Sequence, residues 1–288
     1  MTDGPATNGN VVAKIASMLG DLVPRLVSGV VMIILSLSAL YVGGFTFVAF
    51  WLVAAVAVHW EWQRMTGGPR QQIRMLGGGA VIALVAGLAA LGARDAALVM
   101  LLVGTFATLF FVPGPTRIWN AVGILYAGAL VLAVVLLRMS IFNGVEAILW
   151  LFAIVWGTDI MAYFGGRLIG GPKLWPRVSP SKTWAGFIVG ITSGSVLGLV
   201  GLWAMSAPLA IGPVLLLGLV TGALAQGGDL FESSMKRRYG RKDSSCLIPG
   251  HGGVMDRLDG FIAAAIFAAI LGGLRAGAVA PGNGLFVW

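Results

Sequence analysis

Long apolar runs separated by short polar segments dominate the hydrophobic pattern of this chain. A membrane-spanning helix needs about 20 mainly apolar residues, and the runs that approach this length cover residues 24–42, 44–60, 74–93, 95–112, 118–138, 144–166, 184–204, 208–235 and 258–278. Because lipid offers backbone groups no hydrogen-bond partners, these runs are predicted to be helices. The pattern therefore predicts an all-α polytopic integral membrane protein with about nine transmembrane helices.

The distribution of polar residues divides the chain into three regions. Residues 1–22 include the polar stretch TDGPATNGN and are predicted to form a disordered cytoplasmic tail. Residues 23–143 are mostly apolar with many small residues, as close packing of membrane helices requires. Residues 144–288 place polar groups inside apolar runs and are predicted to hold the catalytic region with its cytoplasmic loops.

Composition and charge support the membrane interpretation. The chain is 58% hydrophobic and only 10% charged, whereas soluble domains are about 25% charged. Its net charge of +8 does not indicate nucleic acid, because the basic residues lie in short loops. All but three of the 19 Lys and Arg fall on the side of the N-terminus; the exceptions are Arg94, Arg138 and Arg275. The positive-inside rule then predicts an inner-membrane protein with a cytoplasmic N-terminus and a periplasmic C-terminus.

The end of the eighth run carries charged residues that are costly to bury in lipid. Asp229, Glu232, Ser233 and Lys236 are spaced so that they share one helix face. Glu232 and Lys236 have the spacing of an intrahelical ion pair. Asp229 has no basic residue at helical spacing within its run. We therefore expect Asp229 to bind a partner from elsewhere or a metal ion.

The basic, Gly-rich segment 239–255 follows, and Asp256 and Asp259 then begin the ninth run one turn apart. Acidic residues at a helix start are explained by capping, and one of the pair is open to that interpretation. The alternative is Mg²⁺, which prefers one or two carboxylates together with phosphate oxygens. Asp229 and Asp256 lie at the two ends of one helix–loop–helix hairpin, so we expect them to share one ion. A second cation remains open.

A second polar segment lies between the sixth and seventh runs. Lys173 and Lys182 carry charge suited to phosphates, while Ser179 and Thr183 are candidates for capping the seventh helix or for donating to phosphate. At the end of the second run, His59 and Glu61 are interpreted as interfacial polar groups without a chemical role. Cys246 is the only cysteine, so an intrachain disulfide is excluded.

The segment from Ser233 to Asp259 resembles the signature of the phosphatidate cytidylyltransferases, also called CDP-diglyceride synthases. It reads SSMKR, four residues, KD, and SSCLIPGHGGVMDRLD, with no gap. The stretch SPSKTW at residues 179–184 is similar to a second motif of that family. The resemblance covers the C-terminal half well, whereas the N-terminal half matches only in consisting of several helices.

The resemblance implies an enzyme that joins CTP to phosphatidic acid with Mg²⁺, giving CDP-diacylglycerol and pyrophosphate. The partners are then CTP, phosphatidic acid and membrane lipids, without nucleic acid, and a homodimer remains open. The site residues it implies, together with Asp229 from the burial argument, are catalytic Asp229, Lys236, Arg237, Lys242, Asp243, His251, Asp256, Arg257 and Asp259. Expected substrate-binding residues are Lys173, Ser179, Lys182, Thr183, Arg241, Gly252 and Gly253, and the expected metal ligands are Asp229 and Asp256.

Three other functions remain to be distinguished. A transporter would need acidic residues near the middle of the membrane and motion across both leaflets, whereas the acids here gather at one side and no internal repeat is evident. A related enzyme that uses CTP on another lipid, such as a polyprenol kinase, is disfavoured by the His-Gly loop. An inactive homologue acting as a scaffold is disfavoured because the charged motif residues are complete.

Overall fold

The computed structural model describes residues 8–111, 114, 116–207 and 210–288. This part of the chain is built from helices with one small antiparallel hairpin. In chain order the elements are α1 (Asn8–Val42), α2 (Gly44–Thr66), α3 (Gln71–Ala90), α4 (Arg94–Phe111), α5 (Arg117–Arg138), α6 (Gly144–Leu168), β1 (Lys173–Trp175), β2 (Ser179–Thr183), α7 (Trp184–Ala204), α8 (Ile211–Arg238), α9 (Met255–Ala276) and α10 (Pro281–Phe286). The predicted all-α polytopic class is confirmed.

Each apolar run of the sequence corresponds to a helix. Within the described residues, eight helices are long and apolar enough to cross a membrane, namely α1 from Pro24 onward, α2, α3 and α5 to α9. The 18-residue α4 coincides with the remaining run, 95–112, whose last residue lies outside the described range. The first two residues of the run 208–235 also lie outside it.

Three local features differ from the sequence prediction. Helix α1 already begins at Asn8, inside the segment expected to be a disordered tail, because residues 11–23 include the good helix formers Ala, Lys, Met and Leu; the residues before Asn8 lie outside the described range. The predicted loop between α6 and α7 contains the β1–β2 hairpin, in which Lys173 pairs with Thr183 and Trp175 with Ser179. A short helix, α10, follows α9.

Aromatic packing joins both halves of the chain into one core. The Trp51 ring of α2 stacks on Phe261 of α9 at 5.0 Å between ring centroids, and on Phe152 of α6 at 6.5 Å. These residues are almost completely buried. Helix α5 also packs on α2 and α9. The N-terminal helices are therefore in direct contact with the region that holds the motif segment Ser233 to Asp259.

Helices α6 and α7 pack closely because glycines line the α7 face of their contact. A Cβ atom added at Gly186, Gly190 or Gly194 would lie 2.7 to 2.8 Å from the carbonyl oxygens of Ala162, Thr158 and Ile154. The four-residue spacing is the small-xxx-small pattern of membrane helix pairs. This contact fixes the separation of the two helices that flank the β1–β2 hairpin.

One end of the bundle gathers most of the basic residues, and we call it the basic end. It contains the ends of α2, α6 and α8 and the starts of α3, α5, α7 and α9, which hydrogen bonds hold together. At the opposite end, Arg138 donates to the carbonyl of Leu40, and Arg275 donates to the carbonyls of Gly284 and Val287. The cytoplasmic assignment of the basic end stays a prediction.

Candidate active site

A cavity of about 700 Å³ lies at the basic end, between the end of α6, the β1–β2 hairpin, the start of α7, the end of α8 and the start of α9. Charged side chains of both signs line it. The acidic ones are Asp159, Asp229, Asp243, Asp256 and Asp259, and the basic ones are Arg167, Lys173, Lys182, Lys236 and Arg257. Such a mixture of unlike charges suits a ligand that carries phosphates and a cation.

One side of the cavity is a chain of polar contacts that joins three elements. The Lys182 ammonium at the end of β2 lies 2.5 Å from Asp229 Oδ2 and donates to Gln226 Oε1 at 2.8 Å. The Gln226 amide donates to Asp159 Oδ1 of α6 at 3.0 Å, and Ser233 donates to Asp229 at 3.2 Å. The sequence found no partner for Asp229 within its own helix, and the structure supplies Lys182 from another element.

The other side of the cavity is built around Asp256. Its Oδ1 accepts from Lys236 Nζ at 2.6 Å, and its Oδ2 accepts from the Ser244 hydroxyl and the Gly253 amide, each at 2.8 Å. Lys236 also lies 2.5 Å from Glu232, which is fully buried. The predicted Glu232–Lys236 ion pair is therefore present, and it extends to Asp256. Both Asp256 oxygens are engaged by protein donors.

Asp259 lies one turn further along α9 and faces the same cavity. Its Oδ1 accepts from the amide of Gly260 at 2.7 Å. The side chain is close enough to Asp229 and Asp159 for their charges to interact. Asp159, Asp229 and Asp259 therefore form a group of carboxylates on the cavity wall, brought together from α6, α8 and α9.

Glu61 is the residue that the sequence interpretation missed. It lies on α2, is fully buried, and accepts four hydrogen bonds from the segment 244–255. Its Oε1 accepts from the Ser245 hydroxyl at 2.6 Å and the Val254 amide at 2.9 Å, and its Oε2 accepts from the Ser244 hydroxyl at 3.1 Å and the Met255 amide at 2.7 Å. The interpretation of Glu61 as an interfacial group is wrong. A carboxylate directly after an apolar run was the available signal, but its partners lie nearly 200 residues away along the chain.

Gly252 and Gly253 allow the loop to pack closely against Asp256 and Glu61 because they carry no side chain. Gly253 donates its amide to Asp256, and an added Cβ there would lie 2.5 Å from Glu61. Gly252 has a positive φ of 82°, and its added Cβ would lie 2.7 Å from Asp256. The sequence predicted that Gly252 and Gly253 contact substrate. In the structure these glycines approach two carboxylates of the protein, and their contact with substrate stays a prediction.

His251 lies on the outer side of the loop and does not line the cavity. Its Nδ1 is 2.6 Å from the Ser28 hydroxyl of α1, which also donates to the Pro249 carbonyl. Partial burial, followed by the charges of Arg257 and Arg25, lowers the pKa of His251. These contacts hold the loop against α1, whereas the catalytic role expected of His251 from the sequence stays a prediction.

The structure thus brings many, though not all, of the predicted site residues to the cavity. Those on its wall are Asp229, Lys236, Asp243, Asp256, Arg257, Asp259, Lys173, Lys182 and Thr183. Thr183 also caps α7 by accepting from the Gly186 amide. Predicted residues that do not line it are Ser179, Arg237, Arg241, Lys242, His251, Gly252 and Gly253. Arg241 instead donates to the Arg64 carbonyl, and Arg237 to the Arg241 carbonyl.

Comparison with known proteins shows the family to which the chain belongs. The sequence profile of the cytidylyltransferase family matches residues 23–274. The chain is 39% identical over 260 residues to a phosphatidate cytidylyltransferase of Brucella abortus, covering 90% of this chain and 96% of that protein. It is 44% identical over 120 residues to a phosphatidate cytidylyltransferase of Staphylococcus haemolyticus, covering 42% of this chain and 46% of that protein. The chain is a nucleotidyltransferase that belongs to the cytidylyltransferase family.

Proposed function

We propose that this enzyme joins CTP to phosphatidic acid, giving CDP-diacylglycerol and pyrophosphate. The observation that carries the proposal is the cavity at the basic end, where five carboxylates and five basic side chains surround about 700 Å³. Relatives that cover most of the chain are named for the same activity. A reaction between two phosphate-bearing substrates needs such a balance of cations and metal-binding groups.

The basic residues of the cavity differ in how they are held. Lys182 and Lys236 are fixed by ion pairs to carboxylates. Arg167, Lys173 and Arg257 form no ion pair within the described part of the chain, and each is largely exposed. We expect the second group to contact incoming phosphates first, because no protein anion must be displaced. Arg167, which donates to the Tyr163 hydroxyl at 2.7 Å, is an addition to the sequence prediction.

Mg²⁺ is part of the proposal, and the carboxylates of the cavity are the side chains that would hold it. Among the described residues, no three His, Cys, Asp or Glu side chains converge into a ready cage. Mg²⁺ does not require one, because it binds through one or two carboxylates plus water and substrate phosphates. Asp229 fits this role. Each oxygen of Asp229 has one partner within the described part of the chain, Lys182 or Ser233. Of the other carboxylates, that of Asp259, which accepts only from the Gly260 amide among the described residues, fits better than the predicted Asp256, whose oxygens are engaged by Lys236, Ser244 and Gly253.

The chemistry follows from the charges on the two substrates. A phosphate oxygen of phosphatidic acid forms a bond to the α-phosphorus of CTP, and the bond from that phosphorus to the β-phosphate oxygen breaks. The attacking oxygen is already anionic near neutral pH, so no strong general base is required. A bound Mg²⁺ would offset negative charge on the triphosphate. The basic side chains hold both anions in line and stabilise the leaving pyrophosphate.

The apolar part of the cavity wall offers a surface for the acyl chains of the lipid substrate. Ala162, Tyr163, Leu174 and Phe187 line the cavity beside the charged groups. They belong to α6, β1 and α7, and the Tyr163 side chain is more than half exposed. The proposal thus places acyl chains along this side and CTP at the charged side. It also places the enzyme in the inner membrane with the basic end cytoplasmic, while a homodimer stays an open prediction.

The direct test uses the purified chain in detergent with phosphatidic acid, CTP and Mg²⁺. Release of pyrophosphate together with CDP-diacylglycerol is the expected result, and Lys182→Met should strongly reduce it. Arg177→Gln is the matched control, because Arg177 is an exposed basic residue of the same hairpin region that does not line the cavity. Product formation from a polyprenol with release of CDP, without CDP-diacylglycerol, would contradict the proposal.

A further inference from the structure

A second cavity lies at the basic end, away from the candidate active site. It has a volume of about 380 Å³ and is enclosed by the end of α2, the start of α3, the end of α4 and the start of α5. It shares no lining residue with the first cavity. Its polar lining consists of Gln63, Arg70, Arg74, Thr108 and Asn120. The proposed reaction uses none of these residues.

Two buried amide side chains in this cavity wall have polar atoms without protein partners among the described residues. Gln63 is fully buried, and neither its Nε2 nor its Oε1 has a hydrogen-bond partner within the described part of the chain. The same holds for Oδ1 of Asn120, which is 1% exposed. Buried amide groups are rarely left unsatisfied, because their desolvation is costly. An occupant of the cavity with hydrogen-bonding groups would supply these partners.

The electrostatics of the cavity favour an anion. Arg74 is buried and holds the turn before α3, donating to the carbonyls of Gly67 and Pro69. Arg70 is exposed at the start of α3, and neither arginine forms an ion pair within the described residues. No acidic side chain among the described residues lines the cavity. The start of α3 has no side-chain cap, so its free amides add positive potential.

The remaining wall is apolar and extends along the helices. Ile73, Gly77 and Val81 form one stripe of α3, with Ala107 of α4 and Ile124 of α5 opposite. The stripe spans about 12 Å of helix, at 1.5 Å per residue. The polar side chains that line the cavity lie toward the helix ends, and the apolar ones lie deeper in the spans. A free anion would leave that apolar part unfilled.

We propose that this cavity binds an anionic phospholipid by its phosphate headgroup. The phosphate accepts from Gln63, Arg70 and the free amides at the start of α3, and an acyl chain lies along the Ile73–Val81 stripe. The ligand class is a phosphodiester lipid of the surrounding leaflet, distinct from the substrate of the first cavity. Occupation would link α2, which carries Glu61, to α3 and α5.

The test measures lipid binding to the full chain in detergent by native mass spectrometry. Dioctanoyl phosphatidylglycerol is the probe, dioctanoyl phosphatidylcholine tests the need for net charge, and inorganic phosphate tests whether the lipid is needed. We expect a retained phosphatidylglycerol adduct that the other two neither reproduce nor displace. Arg70→Gln and Gln63→Leu should each weaken it at least tenfold, while Arg177→Gln should not. Lys182→Met, in the first cavity, should leave the adduct intact.

The outcomes separate this proposal from the proposed reaction. Unchanged adduct affinity in both Arg70→Gln and Gln63→Leu would overturn it, as would equal binding of phosphatidylcholine. Displacement by inorganic phosphate alone would also overturn it, because the site would then recognise a free anion. If Gln63→Leu does not fold, the exposed Arg70 still decides the result. Loss of the adduct only in Lys182→Met would assign the lipid to the active site and contradict a second site.

Discussion

Two groups of carboxylates border the motif segment, and they differ in how fully their oxygens are used. The loop-holding carboxylates, Glu61 and Asp256, are buried, and each accepts from several donors of Lys236 or the segment 244–255. The cavity carboxylates, Asp159, Asp229 and Asp259, each keep a side chain on the cavity wall with fewer protein donors. We therefore expect the first group to shape the loop and the second to meet a cation and substrates.

Substitution of a cavity carboxylate should have the largest effect on turnover. Asp229→Asn keeps the volume and removes the charge that faces the cavity and Lys182. We expect formation of CDP-diacylglycerol to fall by roughly 10²–10³-fold, because preorganised electrostatics dominate such reactions. The thermal midpoint of unfolding should change little. Near-normal turnover in this variant would remove Asp229 from the chemistry.

Substitution of a loop-holding carboxylate should instead act first on stability. Glu61→Gln retains the volume but weakens charge-assisted hydrogen bonds to the amides of Val254 and Met255. We expect a loss of about 2 kcal/mol in unfolding free energy, measured as a lower thermal midpoint, together with reduced turnover. Glu146→Gln is the control, because Glu146 makes no side-chain hydrogen bond within the described residues. Equal thermal midpoints for Glu61→Gln and wild type would contradict the loop-holding role.

A substitution at the contact of α6 and α7 tests whether these two helices, which flank the cavity, need glycine in order to pack. Gly190→Val places side-chain atoms against the Thr158 carbonyl, and an added Cβ would already lie 2.8 Å from that oxygen. We expect about 1–3 kcal/mol of destabilisation, read from thermal unfolding. Gly201→Val on the same helix is the control, because a Cβ there meets nothing within 4 Å. Similar unfolding of both variants would exclude the tight contact.

Substitution of His251, on the outer side of the loop, should have the smallest effect on stability. Burial lowers the pKa of His251 below its ordinary value, so the folded chain disfavours its protonation more than the unfolded chain does. The stabilising contribution is present above the ordinary His pKa of about 6.5 and is lost as pH falls below it. We expect His251→Gln to reduce the change in thermal midpoint between pH 7 and pH 5. An unchanged pH dependence would exclude this titration.

The sequence predicted the helices well because apolar runs of membrane length have few alternative structures. It also placed Asp229 near a partner from elsewhere, since a lone carboxylate in a span needs one. It could not find Lys182 as that partner, because the β1–β2 hairpin that positions Lys182 has no strong pattern. Glu61 was missed for a related reason. Its hydrogen bonds reach Ser244, Ser245 and the start of α9, which only tertiary packing brings near.

The lack of tertiary contacts in the sequence also explains why Asp256 was expected to be a metal ligand. From the sequence, Asp256 and Asp259 are equivalent acids at a helix start, open to capping or to metal binding. In the structure both carboxylates line the cavity, but Asp256 accepts from the Gly253 amide and the Ser244 hydroxyl, whereas the Asp259 carboxylate accepts only from the Gly260 amide within the described residues. Which of the two serves the cation depends on donors supplied by the folded loop, and no spacing rule contains that information.

The most direct test compares cation binding in two variants. Mn²⁺ replaces Mg²⁺, and its binding to the purified enzyme with CTP is followed by electron paramagnetic resonance beside the Mg²⁺ dependence of turnover. We predict that Asp229→Asn weakens Mn²⁺ binding and raises the Mg²⁺ concentration for half-maximal rate at least tenfold, whereas Glu61→Gln changes neither by more than about twofold. Equal cation affinity in Asp229→Asn and wild type, or a larger loss in Glu61→Gln, would contradict the division into cavity and loop-holding carboxylates.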